Sequence, residues 1–296
     1  MLGRVTNQTT AMASQRHLQA SAARLAQLQD QASSLKAIQK PSDDPLGTGQ
    51  SLLVRAQQSA NAQYSRNADD GVGWLQTTDS ALSSTVNVLN RIRDLTVQGA
   101  NDGAMSPTAK EAIATELVGL KSDLMASANT TFQGRSIFAG NSDAGVAFQA
   151  GTPPTFTGTA GSSVQRRIAD GTTVQVDTDG SAVFGTGADS VFGLVDSIVS
   201  DLRSGVNIGP QLAGIDSRLT AVRGAWSDVG VRQSQLERAQ DTLKNSSISL
   251  ENQRSGIEDL DQAKAFLDLQ TQQVSYQAAL AVTAKVIQPT LMDFLR

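Results

Sequence analysis

Apolar residues recur at every seventh position through the last third of the chain: Ile215, Val222, Val229, Leu236, Leu243, Leu250 and Ile257. Leu212, Leu219 and Trp226 form a second lane beside the first. A seven-residue repeat held this long predicts a coiled-coil seam with a left-handed supercoil. A single helix over residues 211–255 would be roughly 65 Å long at ~1.5 Å per residue. Arg254-Ser255-Gly256 predicts a break, since Gly costs about 1 kcal/mol against Ala in a helix interior. Beyond Ile257 the lane moves to Leu260, Leu267, Val274 and Ala281.

The N-terminal part carries weaker lanes of the same kind. Leu18, Leu25 and Ala32 repeat at seven, with Leu28 and Leu35 between them. This predicts a first helix ending before Pro41. Ser42-Asp43-Asp44 then supplies cap residues, and Pro45 suits a first helical position. That second helix should run into the sixties. Leu75, Leu82 and Leu89 predict a further helix ending near Gly99, followed by a turn at Asn101-Asp102-Gly103. Ser106 caps the next helix and Pro107 opens it, with Ile113, Leu117, Leu120 and Leu124 on its apolar face.

The pattern changes in the middle, where residues 141–210 hold 11 of the 25 glycines. Val164–Ile168 and Thr173–Val176 flank Asp170-Gly171, which predicts a hairpin. Asp179-Gly180 followed by Ala182-Val183-Phe184 predicts a further strand. The expected fold is mainly α with an inserted β module. An antiparallel helical bundle and coiled coil is built from the N- and C-terminal segments. Residues 1–41 and 258–296 form the paired terminal helices, 42–140 and 194–257 a long helical bundle, and 141–193 a small β domain.

Composition narrows the function. Only 4% of residues are aromatic and there is no cysteine, so disulfides, thiol nucleophiles and Cys-ligated metals are excluded. His17 is the one histidine, so no histidine cluster can hold a metal. The net charge of −4 argues against a dedicated nucleic-acid binder. No apolar run approaches the ~20 residues that a spanning helix needs. Met1–Thr10 lacks the apolar core of a cleavable export signal.

The isolated chemical features have structural readings. Asp43-Asp44 and Asp69-Asp70 are read as turn and cap residues, because no further carboxylates follow at calcium-loop spacing. Gly134-Arg135-Ser136 lacks the upstream Gly and the Lys of a phosphate loop. His17 is read as a solvated or interface residue, and Trp74 and Trp226 as core or seam residues. Arg166-Arg167 is too small a patch to recruit nucleic acid. No catalytic, cofactor or metal constellation remains, and an enzyme is not expected. Amphipathic ends with few aromatics bury little alone and need neighbours to pack against. Repeated heterologous contacts of that kind generate open helical arrays.

The residues resemble the flagellin family of axial flagellar proteins. Pro41-Ser42-Asp43-Asp44-Pro45 is similar to the family's turn between its first two helices. Tyr64–Gly71, Leu75–Leu82 and Arg91–Gln98 resemble its following helical stretch. Near the C-terminus, Arg254–Asp259 resembles the family's break, and Phe294-Leu295-Arg296 its last residues. Thr131–Gly140, with Gly134-Arg135-Ser136-Ile137-Phe138-Ala139-Gly140, resembles the branch found at the hook–filament junction more than the filament branch. Arg4-Val5-Thr6-Asn7 does the same.

The resemblance implies an extracellular protein of the bacterial flagellum, exported unfolded through the flagellar type III channel without signal cleavage. It implies a ring of copies of the chain, with hook-associated protein 1 on one side and flagellin on the other. It also implies a cytoplasmic export chaperone on the C-terminal helix, and no cofactor. The alternative is flagellin, the filament subunit itself. The residues expected at the assembly interface are Leu18, Leu25, Leu28, Leu260, Leu267 and Val274. The same residues could instead only hold the chain's own terminal helices together. Residues 1–41 carry five cations against Asp30, and residues 258–296 carry three cations against five carboxylates. Opposite signs suit two terminal helices lying side by side, setting register more than stability.

Overall fold

The structure is a computed structural model and describes residues 7–101 and 105–287. Arg4–Thr6, Asp102-Gly103 of the expected turn, and Phe294–Arg296 lie outside the described residues. The chain folds as α1 (Asn7–Ser34), α2 (Pro45–Ala100) and α3 (Pro107–Ala128), then three short hairpins, then α4 (Gly180–Phe184), α5 (Val191–Ser204), α6 (Leu212–Glu258) and α7 (Gln262–Ile287). The hairpins are β1 (Thr131–Phe132) with β2 (Arg135–Ser136), β3 (Phe148–Gln149) with β4 (Thr155–Phe156), and β5 (Gln165–Ala169) with β6 (Thr172–Gln175), all antiparallel. The fold is mainly α with a β module between the helical ends. Two compact units divide it: residues 1–59 with 247–296, and residues 60–246.

The larger unit holds the main core. The α6 lane Ile215, Val222, Val229, Leu236 and Leu243 is buried, with Leu219 beside it. It packs with Leu75, Leu82, Leu89, Ile92 and Leu95 of α2 and Ile113, Leu117 and Leu124 of α3. Polar bonds set the register of α2 against α6. Asn61 Nδ2 donates to the Leu243 carbonyl at 3.0 Å, and Trp226 Nε1 donates to Asp79 Oδ1 at 2.6 Å. Gln240 Nε2 donates to Asp69 Oδ1 at 2.7 Å, and Arg93 pairs with Asp216 at 2.7 Å.

Caps follow the sequence closely in places. Ser106 Oγ accepts from the Ala109 amide at 3.2 Å, and Pro107 opens α3. Asp44 Oδ1 accepts from Gly47 N at 2.9 Å, and Asp43 Oδ2 accepts from Lys40 N at 2.9 Å. The acidic pair thus closes the turn before Pro45 instead of facing a cation.

Four expectations change, the first at Asp69-Asp70, which lies inside α2 instead of at a cap, with Asp69 accepting from Gln240 and Asp70 paired with Arg166. The two helices expected between Pro45 and Gly99 are one helix, α2. Gly71 and Gly73 do not break it, because they serve as notches. A Cβ on Gly71 would lie 2.9 Å from Leu236 Cδ1, and one on Gly73 would lie 2.9 Å from the Phe132 ring. The α6 break falls after Glu258, not at Arg254–Gly256, and Gly256 sits in the helix with open space around it. Residues 180–184 are the short helix α4, not a strand. Asp179 caps it through Ser181 N at 2.8 Å, so the Asp-Gly pair starts a helix here.

The β5–β6 hairpin does form at Asp170-Gly171, where Gly171 adopts φ 68°. The arginines on β5 face α2, and Arg167 also pairs with Asp170 of its own hairpin turn. Arg166 pairs with Asp70 at 2.5 Å and lies 5.7 Å over the Trp74 ring, and Arg167 lies 5.9 Å over Tyr64. The rest of the module closes on Phe138, Phe148, Phe184 and Phe192, whose rings pack edge-to-face or stacked at 5.1–6.0 Å. Asn129, the last cap of α3, grips β3 from both sides. Its Oδ1 accepts from Phe148 N at 2.8 Å and its Nδ2 donates to the Phe148 carbonyl at 2.9 Å.

Candidate assembly surface

The smaller unit is built from α1 and α7, the first turns of α2 and the last turns of α6. Ser21 accepts from Gln272 Nε2 at 3.0 Å, and Lys36 bridges Asp259, so α1 and α7 run antiparallel. Their contact is a four-three repeat on each side. On α1 the positions turned inward include Ser14, Leu18, Ser21, Leu25, Leu28 and Ala32, and on α7 they are Ala265, Leu269, Gln272, Tyr276, Ala279 and Thr283. Leu28 and Ala265 are buried in it.

The six expected interface residues therefore separate. Leu18, Leu25 and Leu28 face the chain's own α7 side. Leu260 is half-buried just before α7, its amide donating to the Leu35 carbonyl at 3.0 Å. Leu267 and Val274 are 63% and 62% exposed and lie on the opposite face of α7. They belong to a second four-three strip, Leu267, Thr271, Val274, Ala278 and Ala281, exposed along its length. Phe266 and Val282 lie beside it, 67% and 60% exposed.

This outer strip is the more apolar of the two, which is why the apolar pattern marks it as the continuing seam. The true seam is mostly small and polar residues, so hydrophobicity alone did not mark it. The signal that could have found it is the matching four-three spacing of Ala265, Leu269, Gln272, Tyr276, Ala279 and Thr283. Charge does not fasten the pair. Among the described residues no ion pair joins α1 to α7, and His17, Arg16 and Asp268 are exposed.

A second outward strip lies on α2. Leu46, Gly49, Leu53 and Ala56 are exposed at three-four-three spacing, with Leu46 75% and Leu53 67% exposed. The opposite side of the same turns, Gly47, Ser51 and Val54, is buried. Each strip alone has the geometry of one half of a helix–helix seam. Exposed apolar rows of this kind mark interaction surfaces.

One charged cluster in this unit centres on a buried carboxylate, with its arginines reaching out to the surface. Glu258, 4% exposed, accepts from Arg55 Nε and Nη2 at 2.7 and 2.8 Å, from Arg254 Nη1 at 3.1 Å, and from Ser51 Oγ. Hydrogen bonding from Arg55, ahead of opposing burial, brings its pKa down to about 2. Arg254 also binds Glu251 at 2.6 Å, which lowers the Glu251 pKa.

Among the described residues no cluster of three or more His, Cys, Asp or Glu could hold a metal. No helix among them is long and apolar enough to cross a membrane. One groove, between Thr77–Ser84 and Ala126–Thr130, is lined by small side chains, and another, between Met105–Glu111 and Leu202–Gly205, holds the Arg203–Glu111 ion pair.

Both helical ends of the chain resemble known proteins. Residues 5–143 match the model of the bacterial flagellin N-terminal helical region, and residues 212–295 match that of the C-terminal helical region. Polar flagellin F of Vibrio parahaemolyticus is 34% identical over 137 residues, covering 46% of this chain. The chain spans 36% of that relative's length. Flagellar hook-associated protein 3 of Salmonella typhimurium is 24% identical over 278 residues, covering 85% of this chain and 87% of its own. The fold is shared with the flagellar junction protein FlgL from Legionella pneumophila, with a TM-score of 0.59 at 16% identity over 71% of this chain and 100% of that one. With both of its helical ends matched, the chain belongs to the bacterial flagellin family.

Proposed function

We propose that this chain is a structural component of the bacterial flagellum, the junction subunit joining the hook, through hook-associated protein 1, to the flagellin filament. The observation that carries the reading is the match to a hook-associated protein 3 over 85% of this chain and 87% of that protein. The outward strips on α7 and α2 support an assembly role, since each is exposed among the described residues of its unit. Leu267 and Val274 pack against neighbouring subunits, while Leu18, Leu25, Leu28 and Leu260 serve first the chain's own terminal pair. Residues 1–41 and 258–296 form the inner layer of the assembly, residues 42–140 and 194–257 the next, and residues 141–193 face outward.

The mechanism is mechanical. A ring of copies offers one surface to the hook side and another to flagellin, so that two lattices join. Burial of apolar strips contributes ~25 cal/mol per Å² before the cost of ordering. The chain reaches its site outside the cell by type III export without signal cleavage, and a cytoplasmic chaperone covers α7 until then.

A second reading, flagellin itself, is favoured by the 34% identity of the N-terminal 137 residues to a polar flagellin. Electron microscopy of the purified chain after salting-out, with and without filament seeds, separates the two. Short caps on seeds, or no polymer, fit the junction subunit. Long self-grown filaments would establish the flagellin reading and remove the junction one.

A further inference from the structure

Two chain connections meet within the smaller unit. One is the segment between α1 and α2, and the other is the break between α6 and α7. They are hydrogen-bonded to each other. Ala37 N donates to the Glu258 carbonyl at 2.8 Å, and Leu260 N donates to the Leu35 carbonyl at 3.0 Å. These bonds flank the Lys36–Asp259 bridge, which is thus a non-hydrogen-bonded antiparallel pair with close Cα atoms. The Glu258 carboxylate fastens the same point to α2 through Ser51 and Arg55, and to α6 through Arg254.

Packing contributes little here. A cleft of about 200 Å³ lies between the connection at Ile38–Pro41 and α2 at Thr48–Arg55, with Glu258 in its wall. Leu35 and Leu52 beside it are 52% and 64% exposed. A contact held by a few directed polar bonds next to unfilled space opens locally more readily than a filled core does. Glu258 is the one acceptor shared by Ser51, Arg55 and Arg254, so loss of its charge weakens all of these bonds together.

We propose that Glu258 is the pin of a single joint, at which the α1–α2 connection and the α6–α7 break are locked to each other and to α2. When this joint opens, the terminal pair α1–α7 is therefore freed from the adjoining turns of α2 and α6 as one body, never as two separate arms. This gives the chain one adjustable element where it meets its neighbours. The inference concerns the isolated chain and does not depend on whether the chain is the junction subunit.

Amide hydrogen exchange on the full chain tests it, comparing wild type with Glu258→Gln and Ser51→Ala. In Glu258→Gln, exchange at the Ala37 and Leu260 amides should rise together, tenfold or more, with a smaller joint rise in Ser51→Ala. Amides in the middle of α1 and α7 should keep wild-type protection. The chain has no cysteine, so a Lys36→Cys/Asp259→Cys pair forms a clean disulfide staple. Oxidising that staple in the Glu258→Gln background should return both joint amides to wild-type rates. Unchanged exchange at Ala37 and Leu260 in Glu258→Gln would remove Glu258 as the pin. Loss of protection at only one of them, or equal loss along α1 and α7, would overturn the single joint.

Discussion

Gly71 on α2 and Leu236 on α6 meet where no Cβ fits: an added methyl would stand 2.9 Å from Leu236 Cδ1 and 3.2 Å from Val176 Cγ1. Gly71→Ala gains up to about 1 kcal/mol of helix propensity. The overpacking costs about 1–3 kcal/mol, so the net effect is destabilising. Gly224, in α6 with nothing near its missing Cβ, provides the contrast. Gly224→Ala should raise the melting temperature of the isolated chain and Gly71→Ala should lower it. Equal and positive shifts by thermal denaturation would mean that α2 and α6 do not approach this closely.

The buried carboxylates titrate with opposite signs. Arg55, Ser51 and Arg254 hold Glu258 down to about 2, below its ordinary 4.5. Its stabilisation is therefore complete above about pH 4.5 and is lost as pH falls through about 2. Glu258→Gln should cost on the order of 2 kcal/mol at pH 7, through the charged hydrogen bonds it loses. That difference from wild type should close progressively below pH 4.5.

Asp177 is the reverse case. Burial pushes its pKa up from 3.8, against the Val164 amide that bonds its Oδ1 at 2.8 Å. Its protonated form is the better accommodated, so this residue's contribution is present below pH 3.8 and declines as pH rises through its folded value. Asp177→Asn keeps an acceptor for Val164 and removes that decline. Denaturant melts at pH 3, 5 and 7 should show wild type losing ground to Asp177→Asn as the pH rises, and a constant difference would contradict the shift.

Much of this was legible in the chain. The heptad lane Ile215–Leu250 is buried along its length, and Asp44, Ser106 and Asp170-Gly171 act as caps and turn where their residue types predict. What failed shares one cause: residue types were read for local preference where tertiary contact decides. The lanes after Pro45 and from Leu75 read as two helices but are one, in which Gly71 and Gly73 are notches for Leu236 and Phe132. Asp179-Gly180 read as a hairpin turn but caps α4. On α7 the apolar lane through Leu267 read as the seam, while the actual seam runs through Gln272, Tyr276 and Thr283. Nothing in the local pattern of α7 states that α1 offers Ser21 to Gln272, a relation that spans 251 residues.

The Phe cluster should be the weak point of the β module. Phe148 touches Phe156, Phe184 and Phe192, and the three hairpins have too few residues to hold themselves. Phe148→Ala should cost about 3–5 kcal/mol. The expected readout is protease cleavage between residues 141 and 190, with α-helical circular dichroism largely kept. A melt that lost helix and module together at the same denaturant concentration would show that the module and the helices unfold as one unit.

The two faces of α7 should separate folding from assembly. Leu267→Ser/Val274→Ser removes apolar side chains that touch nothing in the chain's own seam, so the monomer should melt as wild type does. If these residues pack on neighbours, the variant should fail to add to hook–filament seeds in electron micrographs and to restore motility in cells lacking the wild-type chain. Leu28→Ser acts on the other side. It places a hydroxyl at a position 7% exposed against the α7 side and should cost about 2–4 kcal/mol. It should also speed amide exchange along both α1 and α7 in the free chain. A variant at 267 and 274 that assembles normally would place the contact elsewhere, and the α2 strip through Leu46 and Leu53 would be substituted next. A variant there that melted early would show that the outer strip serves the monomer after all.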